Sequence, residues 1–231
     1  MLKIVIGNIF SSSVQTIVNT INCVGVMGAG IALECRLRWP EMYEQYVDLC
    51  NNKSISVGKL WLFKGADRWI LNFPTKIHWR YPTKENYLHS GLNKFLETYK
   101  EKEIESIAFP LLGASHGGIP AERSREIMVS YLEKCEIPVE IYYYEPKAND
   151  DLFEQFKSNF LNMDRKEIKQ EIGLRDNAID NLLYGFNNTE IKQLNQLAQI
   201  KGIGIKTLER MFSFSMKAKT IDQGSQLTFF E

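Results

Sequence analysis

The apolar positions of this chain follow two regimes. Up to about residue 147, short apolar and β-branched runs at residues 3–6, 16–22, 58–64, 68–73, 106–109 and 138–146 read as strands bounded by Gly, Pro or Asn. Between them lie stretches with apolar residues at helical spacing. Residues 31–51 form one such stretch, broken at Trp39-Pro40, where Pro40 suits the first turn of a new helix. Residues 86–102 form another, with Leu88, Leu92, Phe95, Leu96 and Tyr99 on one side, and residues 121–135 a third. The pair 58–64 and 68–73 is joined by a Gly65-Ala-Asp turn and reads as two adjacent strands. This alternation predicts an α/β domain. A polar joint at residues 147–151 follows, and beyond it the pattern is entirely helical. The expected division is 1–147 for the α/β domain, 148–220 for a small helical domain and 221–231 for a flexible tail.

Two strands run straight into glycine-rich loops that precede helices. The first is VNTINCVGVMGAGIA (residues 18–32), with Asn19 and Asn22 at its root, Gly25, Val26, Met27, Gly28 and Gly30 in the loop, and a helix start after it. The second is PLLGASHGGIP (residues 110–120), carrying Gly113, Ala114, Ser115, His116, Gly117 and Gly118. Glycines there let backbone N–H groups crowd an anion at the positive end of a helix, so both loops suit a phosphate or pyrophosphate. Glycines alone also fit plain strand-to-helix turns that need positive φ. The first loop has neither the G-x-G-x-x-G spacing of a dinucleotide fingerprint nor a Gly-Lys-Ser/Thr. A third stretch, NFPTKIHWR (residues 72–80), follows a strand that Pro74 is expected to stop, leaving Thr75 and Lys76 on a loop at its C-terminal end.

Composition narrows the chemistry. The 231 residues suffice for one full core and a smaller appendage, and 28 basic residues balance 28 acidic ones. A neutral chain does not coat polyanions wholesale, so nucleic-acid contact is confined to a local patch. Four cysteines form no C-x-x-C pair and, with three histidines, no metal spacing, which fits reduced thiols in a cytoplasm and no metal or cofactor. The first residues read as a strand rather than a signal peptide, and no apolar run approaches membrane-spanning length.

The first loop, V-N-T-x-N-x-x-G-V-M-G-x-G-I-A, resembles the ADP-ribose-binding loop of macrodomains, and within them most resembles the DNA ADP-ribosyl glycohydrolases, the antitoxin partners of DNA-modifying ADP-ribosyltransferases. The resemblance spans residues 1 to about 147. It implies a mixed central sheet with helices on both faces, and an enzyme that removes ADP-ribose from a DNA base. N-F-P-T-K-x-H-W-R resembles the segment carrying that family's catalytic lysine, which maps onto Lys76. A lysine of lowered pKa can attack the anomeric carbon or hold the opened sugar as an imine. The second loop resembles the family's P-x-L-G-x-G-x-G-G-L, which wraps the second phosphate and the distal ribose. Ser115 and His116 depart from the usual Gly-Asn or Gly-Asp there, and no acid lies between Pro110 and Ala121 to assist the lysine. His116 can substitute as a proton carrier, or stay a solvated loop histidine. The Gly7-Asn8-Ile9 turn resembles the family's adenine-contacting turn, and Tyr144 of the Y-E-P ending can stack on adenine; both residues also fit ordinary strand-end positions. The ligand set implied is Asn8, Ile9, Asn19, Asn22, Gly25, Val26, Met27, Gly28, Gly30, Thr75, Gly113, Ala114, Ser115, His116, Gly117, Gly118 and Tyr144, with Lys76, Asn22 and His116 in the chemistry. The rival readings are a non-catalytic ADP-ribose reader and a hydrolase of ADP-ribosylated protein or of free ADP-ribose derivatives.

In the helical part, residues 164–184 hold two helices about Gly173, read as a packing unit. LAQIKGIGIKTLERMF (residues 197–212) resembles the helix-hairpin-helix of DNA repair proteins. Gly202 and Gly204 let that hairpin approach a phosphate, and Lys201 and Lys206 belong to a patch of five basic residues against one acid between residues 201 and 219. QLTFF, from Gln226 to Phe230, resembles the peptide by which bacterial proteins dock on the replication sliding clamp. The expected partners are ADP-ribosylated DNA, a cognate ADP-ribosyltransferase toxin and the clamp, with the chain a monomer and no membrane association.

Overall fold

The structure is a computed structural model that describes the backbone of residues 1–225 and the side chains of residues 1–219. Chain contacts divide it into two units, Met1–Tyr144 and a second beginning at Glu145.

The first unit is a six-stranded sheet of order β1-β6-β5-β2-β4-β3. The strands are β1 (Leu2–Gly7), β2 (Thr16–Asn22), β3 (Trp61–Lys64), β4 (Trp69–Lys76), β5 (Ile107–Pro110) and β6 (Val139–Tyr144). All neighbours pair in parallel except β3, which runs antiparallel to β4 at the edge. The central strands β2 and β4 are buried almost throughout, as their continuous apolar runs require when helices cover both faces. On one face lie α1 (Gly30–Arg38) and α2 (Pro40–Asn51), contributing Cys35, Leu37, Met42 and Tyr46. On the other lie α3 (Glu85–Thr98) and α4 (Ala121–Leu132), whose Leu88, Leu92, Phe95, Ile127, Met128 and Leu132 enclose Phe73, Phe109 and Ile141. Each such side chain contributes about 1.5–3 kcal/mol of burial. Gly91 sets how close α3 comes to β4, since a Cβ there would stand 2.1 Å from the Phe73 ring.

One expectation about β4 is corrected. Pro74 does not stop the strand; it lies inside it, paired with Ile21 of β2, and Thr75 and Lys76 are the last strand residues. The last β3 partner of β4 is at Trp61↔Asn72. Beyond that point β4 has a neighbour on one side only, where the missing proline N–H is tolerated.

The second unit contains α5 (Phe153–Asn162), α6 (Arg165–Glu167, continuing as a wider turn through Ile172), α7 (Asp176–Gly185) and α8 (Ile205–Ser225). Phe153, Phe156, Phe160 and Phe186 form its aromatic core, with ring centroids 5.4–6.4 Å apart. Asp150 knits the start of α5 to the segment before α8 by accepting from the Leu152 and Leu194 amides, at 2.9 and 2.6 Å. Asp164 and Glu167 form a capping box at α6, and Gly173 ends the next turn at φ +75°. α8 continues past residue 220, where a flexible tail was expected; no proline interrupts residues 205–225. The clamp-like peptide from Gln226 to Phe230 lies outside the described residues. Among the described residues no helix is long and apolar enough to cross a membrane, and no His, Cys, Asp or Glu group could hold a metal ion.

Candidate active site

The five parallel strands deliver their C-terminal ends to one edge of the sheet. β2 is flanked by β4 on one side and β5 on the other, so the direction of strand succession reverses between β2 and β5. A crevice opens at such a reversal, outside the carboxyl ends of the strands. The two glycine loops are the ones that follow β2 and β5. The Asn8 turn follows β1, Lys76 ends β4, and Tyr144 ends β6 opposite Gly7.

The first loop is shaped by Asn22. Its Oδ1 accepts from the Val24 and Val26 amides at 3.0 and 3.4 Å, and its Nδ2 donates to the Val26 carbonyl. The hydroxyl of Tyr46, buried on α2, donates to the Asn22 carbonyl at 2.8 Å and holds the loop root from below. One N–H of Asn22 is left to face a ligand. Gly25 and Gly30 take positive φ, +77° and +56°. The amides opening α1 at Gly30, Ile31 and Ala32 have no intrahelical acceptor, which leaves the partial positive charge that a phosphate matches at the end of this loop. Val26, Gly28 and Gly30 are exposed, whereas Met27 is fully buried.

Asn19 is a correction. It is completely buried, and its Nδ2 donates to Asn72 of β4 at 2.9 Å, so it joins two central strands and does not meet a sugar. Residues 19 and 22 lie an odd number of positions apart, and the register slips between Ile21 and Asn22, so only the second side chain arrives at the loop.

The second loop folds as a tight turn at Ser115–Gly117, with positive φ at Gly113 (+68°), Ser115 (+50°) and Gly118 (+84°). Among the described residues the Ser115 and His116 amides find no acceptor, leaving two donors for an anion. The His116 ring edge stands 3.7 Å from where a Gly30 Cβ would be, so the two loops meet across the mouth.

Lys76 reaches between them. It sits opposite Asn22 in the β2–β4 ladder, and its ammonium donates to the His116 carbonyl. Partial burial lowers its pKa from the usual lysine value. The Cys23 thiol donates to the Lys76 carbonyl at 3.3 Å, but burial, and then Cys50, push its pKa up to about 11, so it is no thiolate nucleophile at neutral pH. Thr75 is buried beside Lys76. Asn8 is buried with Oδ1 capping the Phe10 amide, while its Nδ2 finds no partner among the described residues, an available donor at the end of β1. Ile9 is buried next to it, and Tyr144 is well exposed.

Thr83 was not foreseen. Its amide donates to the Gly117 carbonyl at 2.9 Å, and its side chain fills the space that Cβ atoms on Gly113 and Gly117 would take. Only the fold brings residues 83 and 117 together, and no local motif announces the pair.

In the second unit the hairpin residues adopt a turn between the short helix Leu194–Gln199 and α8, with Gly202 at φ +85° and Leu197, Ile203 and Leu208 buried beneath. Of the five basic residues expected in the patch, Arg210 donates to the Gly173 carbonyl and Lys219 pairs with Asp151. Among the described residues Lys201, Lys206 and Lys217 form no ion pair.

The Macro domain family model matches residues 18–128. A DNA ADP-ribosyl glycohydrolase of Thermus aquaticus is 38% identical over 153 residues, which cover 64% of this chain and 42% of that protein. The chain therefore spans about two-fifths of the length of this curated relative. Among solved structures, the macrodomain of Mycobacterium tuberculosis DarG is 37% identical, with a TM-score of 0.59 over 62% of this chain and 97% of that one. Thermosipho africanus DarTG in complex with ADP-ribose is 35% identical, with a TM-score of 0.56 over 62% of this chain and 42% of that one. Agreement in sequence and in fold, over nearly the whole of a solved macrodomain, means that this chain belongs to the macrodomain family.

Proposed function

We propose that the chain hydrolyses the N-glycosidic bond between ADP-ribose and a DNA base, restoring the base. The observation that carries the reading is Lys76, an amine of lowered pKa held between two amide-lined loops. The orphan amides of α1 and of Ser115 and His116 bind the diphosphate, so binding energy remote from the reacting carbon orients the ribose. The Lys76 lone pair forms a bond to the anomeric carbon as the bond from that carbon to the base nitrogen breaks. The bonding pair leaves on the base, which takes a proton from His116. Water then displaces the lysine, giving up a proton to His116, which restores it and releases ADP-ribose and the free amine. The relatives' names and the ADP-ribose complex of a similar protein support the ligand. A cognate ADP-ribosyltransferase toxin is the partner this activity implies. Lys201, Gly202, Gly204 and Lys206 supply sequence-independent phosphate contacts, so turnover of modified DNA should weaken as salt rises.

The test offers ADP-ribosylated thymidine, guanosine and glutamate to the wild type and to Lys76→Ala in parallel. Turnover of a nucleoside by the wild type alone, with ADP-ribose affinity kept by the variant, is the expected result. Full activity in Lys76→Ala removes the lysine from the chemistry. Release from glutamate alone moves the substrate to protein. Binding of ADP-ribose with no turnover of any substrate makes the chain a reader.

A further inference from the structure

The segment after Lys76 exposes apolar side chains, two of them aromatic, that nothing above uses. Ile77, Trp79 and Tyr81 are 54%, 46% and 64% exposed, directly after the lysine. The segment is a built turn. The Tyr81 amide donates to the His78 carbonyl at 3.1 Å, and the Arg80 amide donates to His78 Nδ1 at 3.2 Å. The rings are prearranged: His78 stacks on Trp79 at 5.6 Å and 25°, Tyr81 lies 5.3 Å from His78, and the Arg80 guanidinium sits 4.7 Å over Trp79. The turn is also tied to both glycine loops, because the Ile77 carbonyl accepts from Cys23 and the Thr83 amide donates to Gly117. It is therefore a fixed wall of the crevice that begins one residue past the lysine. Residues 75–84 contain Lys76, Arg80 and Lys84 and no acid, in a chain whose net charge is zero.

Exposed rings, one of them under a guanidinium, on a stretch with three cations and no acid match a ligand that alternates flat π-faces with negative charge. Single-stranded nucleic acid is such a ligand: its bases stack on aromatic side chains while its phosphates meet the cations. A free ADP-ribose derivative or a modified glutamate has no further base to offer. We propose that the turn at residues 78–81 is a stacking platform for the nucleobases flanking the ADP-ribosylated one, with Trp79 and Tyr81 as the stacking rings and Arg80 and Lys84 on the neighbouring phosphates. This deepens, and rests on, the reading of the chain as a DNA-directed enzyme. It adds a second place where the strand is held, next to the reacting bond.

The test compares two substrates and one binding reaction in the full chain. The variants are Trp79→Ala, Tyr81→Ala and the pair. kcat/KM is measured on an ADP-ribosylated single-stranded oligodeoxynucleotide and on ADP-ribosylated nucleoside, and the affinity of an unmodified labelled dT oligomer is read by anisotropy. Stacking magnitudes predict a loss of about 5- to 100-fold per ring on the oligonucleotide, with the nucleoside unchanged, and a weaker dT complex. Equal losses on both substrates overturn the platform, because the turn then serves ADP-ribose or the fold. An unchanged oligonucleotide reaction with unchanged dT affinity overturns it as well, leaving the proposed hydrolase intact. If the wild type turns over neither nucleic-acid substrate, the hydrolase reading fails; dT affinity lost in the double variant would still uphold the platform.

Discussion

Gly117→Ala tests whether the second glycine loop is held by Thr83. A methyl at residue 117 would stand 2.7 Å from Thr83 Oγ1 and 3.4 Å from Thr83 Cβ. Gly117 is absent from the positions of positive φ, so alanine is acceptable to the backbone there and steric conflict is the main penalty. Overpacking of this kind costs about 1–3 kcal/mol. The offending oxygen is buried without a hydrogen-bond partner among the described residues. Removing it relieves an unsatisfied group worth about 1–3 kcal/mol and offsets the lost packing of the methyl, so Thr83→Ala alone should lie within about 1 kcal/mol of the wild type. In the double variant the new methyl meets only Cβ at an ordinary distance, and the cost of Gly117→Ala should fall by about 1–2 kcal/mol. All four tryptophans, at 39, 61, 69 and 79, lie in the first unit, so urea unfolding followed by tryptophan fluorescence reports on that unit alone. ADP-ribose affinity should fall in Gly117→Ala and return in the double variant, because the His116 carbonyl that receives Lys76 lies one residue before the clash. Strict additivity, within about 0.5 kcal/mol, would refute the contact as the cause.

Two further outcomes are expected. Because burial lowers the Lys76 pKa, the fraction of free amine rises with pH earlier than for an exposed lysine; the rising limb of the single-turnover rate should lie below the ordinary lysine value, and Lys76→Arg, which stays protonated, should be inactive across the range. Ser115 holds φ +50°, a conformation that costs an L-residue about 1–2 kcal/mol. Ser115→Gly should stabilise the first unit by about 0.5–1 kcal/mol, and so raise its urea midpoint, after the added freedom of the unfolded glycine is counted; a lower midpoint would show that the hydroxyl is needed where it is.

Much of this site was legible because its parts are contiguous. A buried strand, a glycine loop and a helix start are local features, and each of the two loops carries all three within a short stretch. The order of strands and helices likewise follows from local periodicity. What local pattern misjudged was Pro74, which breaks a strand only where a neighbouring strand needs its N–H, and Asn19, whose side chain is taken up by Asn72 of the next strand.

The sequence by itself therefore determined the α/β class, the helical second unit, the two anion-suited loops and a lysine just past the apolar run at residues 68–73, whereas the fold made that lysine the last residue of β4. Tertiary structure alone decided that β5 lies beside β2, that Lys76 meets the carbonyl of His116, and that Thr83 wedges under Gly117. The reason is physical: backbone conformation responds to near neighbours in the chain, whereas strand adjacency and register are settled by burying the whole sheet at once, and no short stretch carries that information.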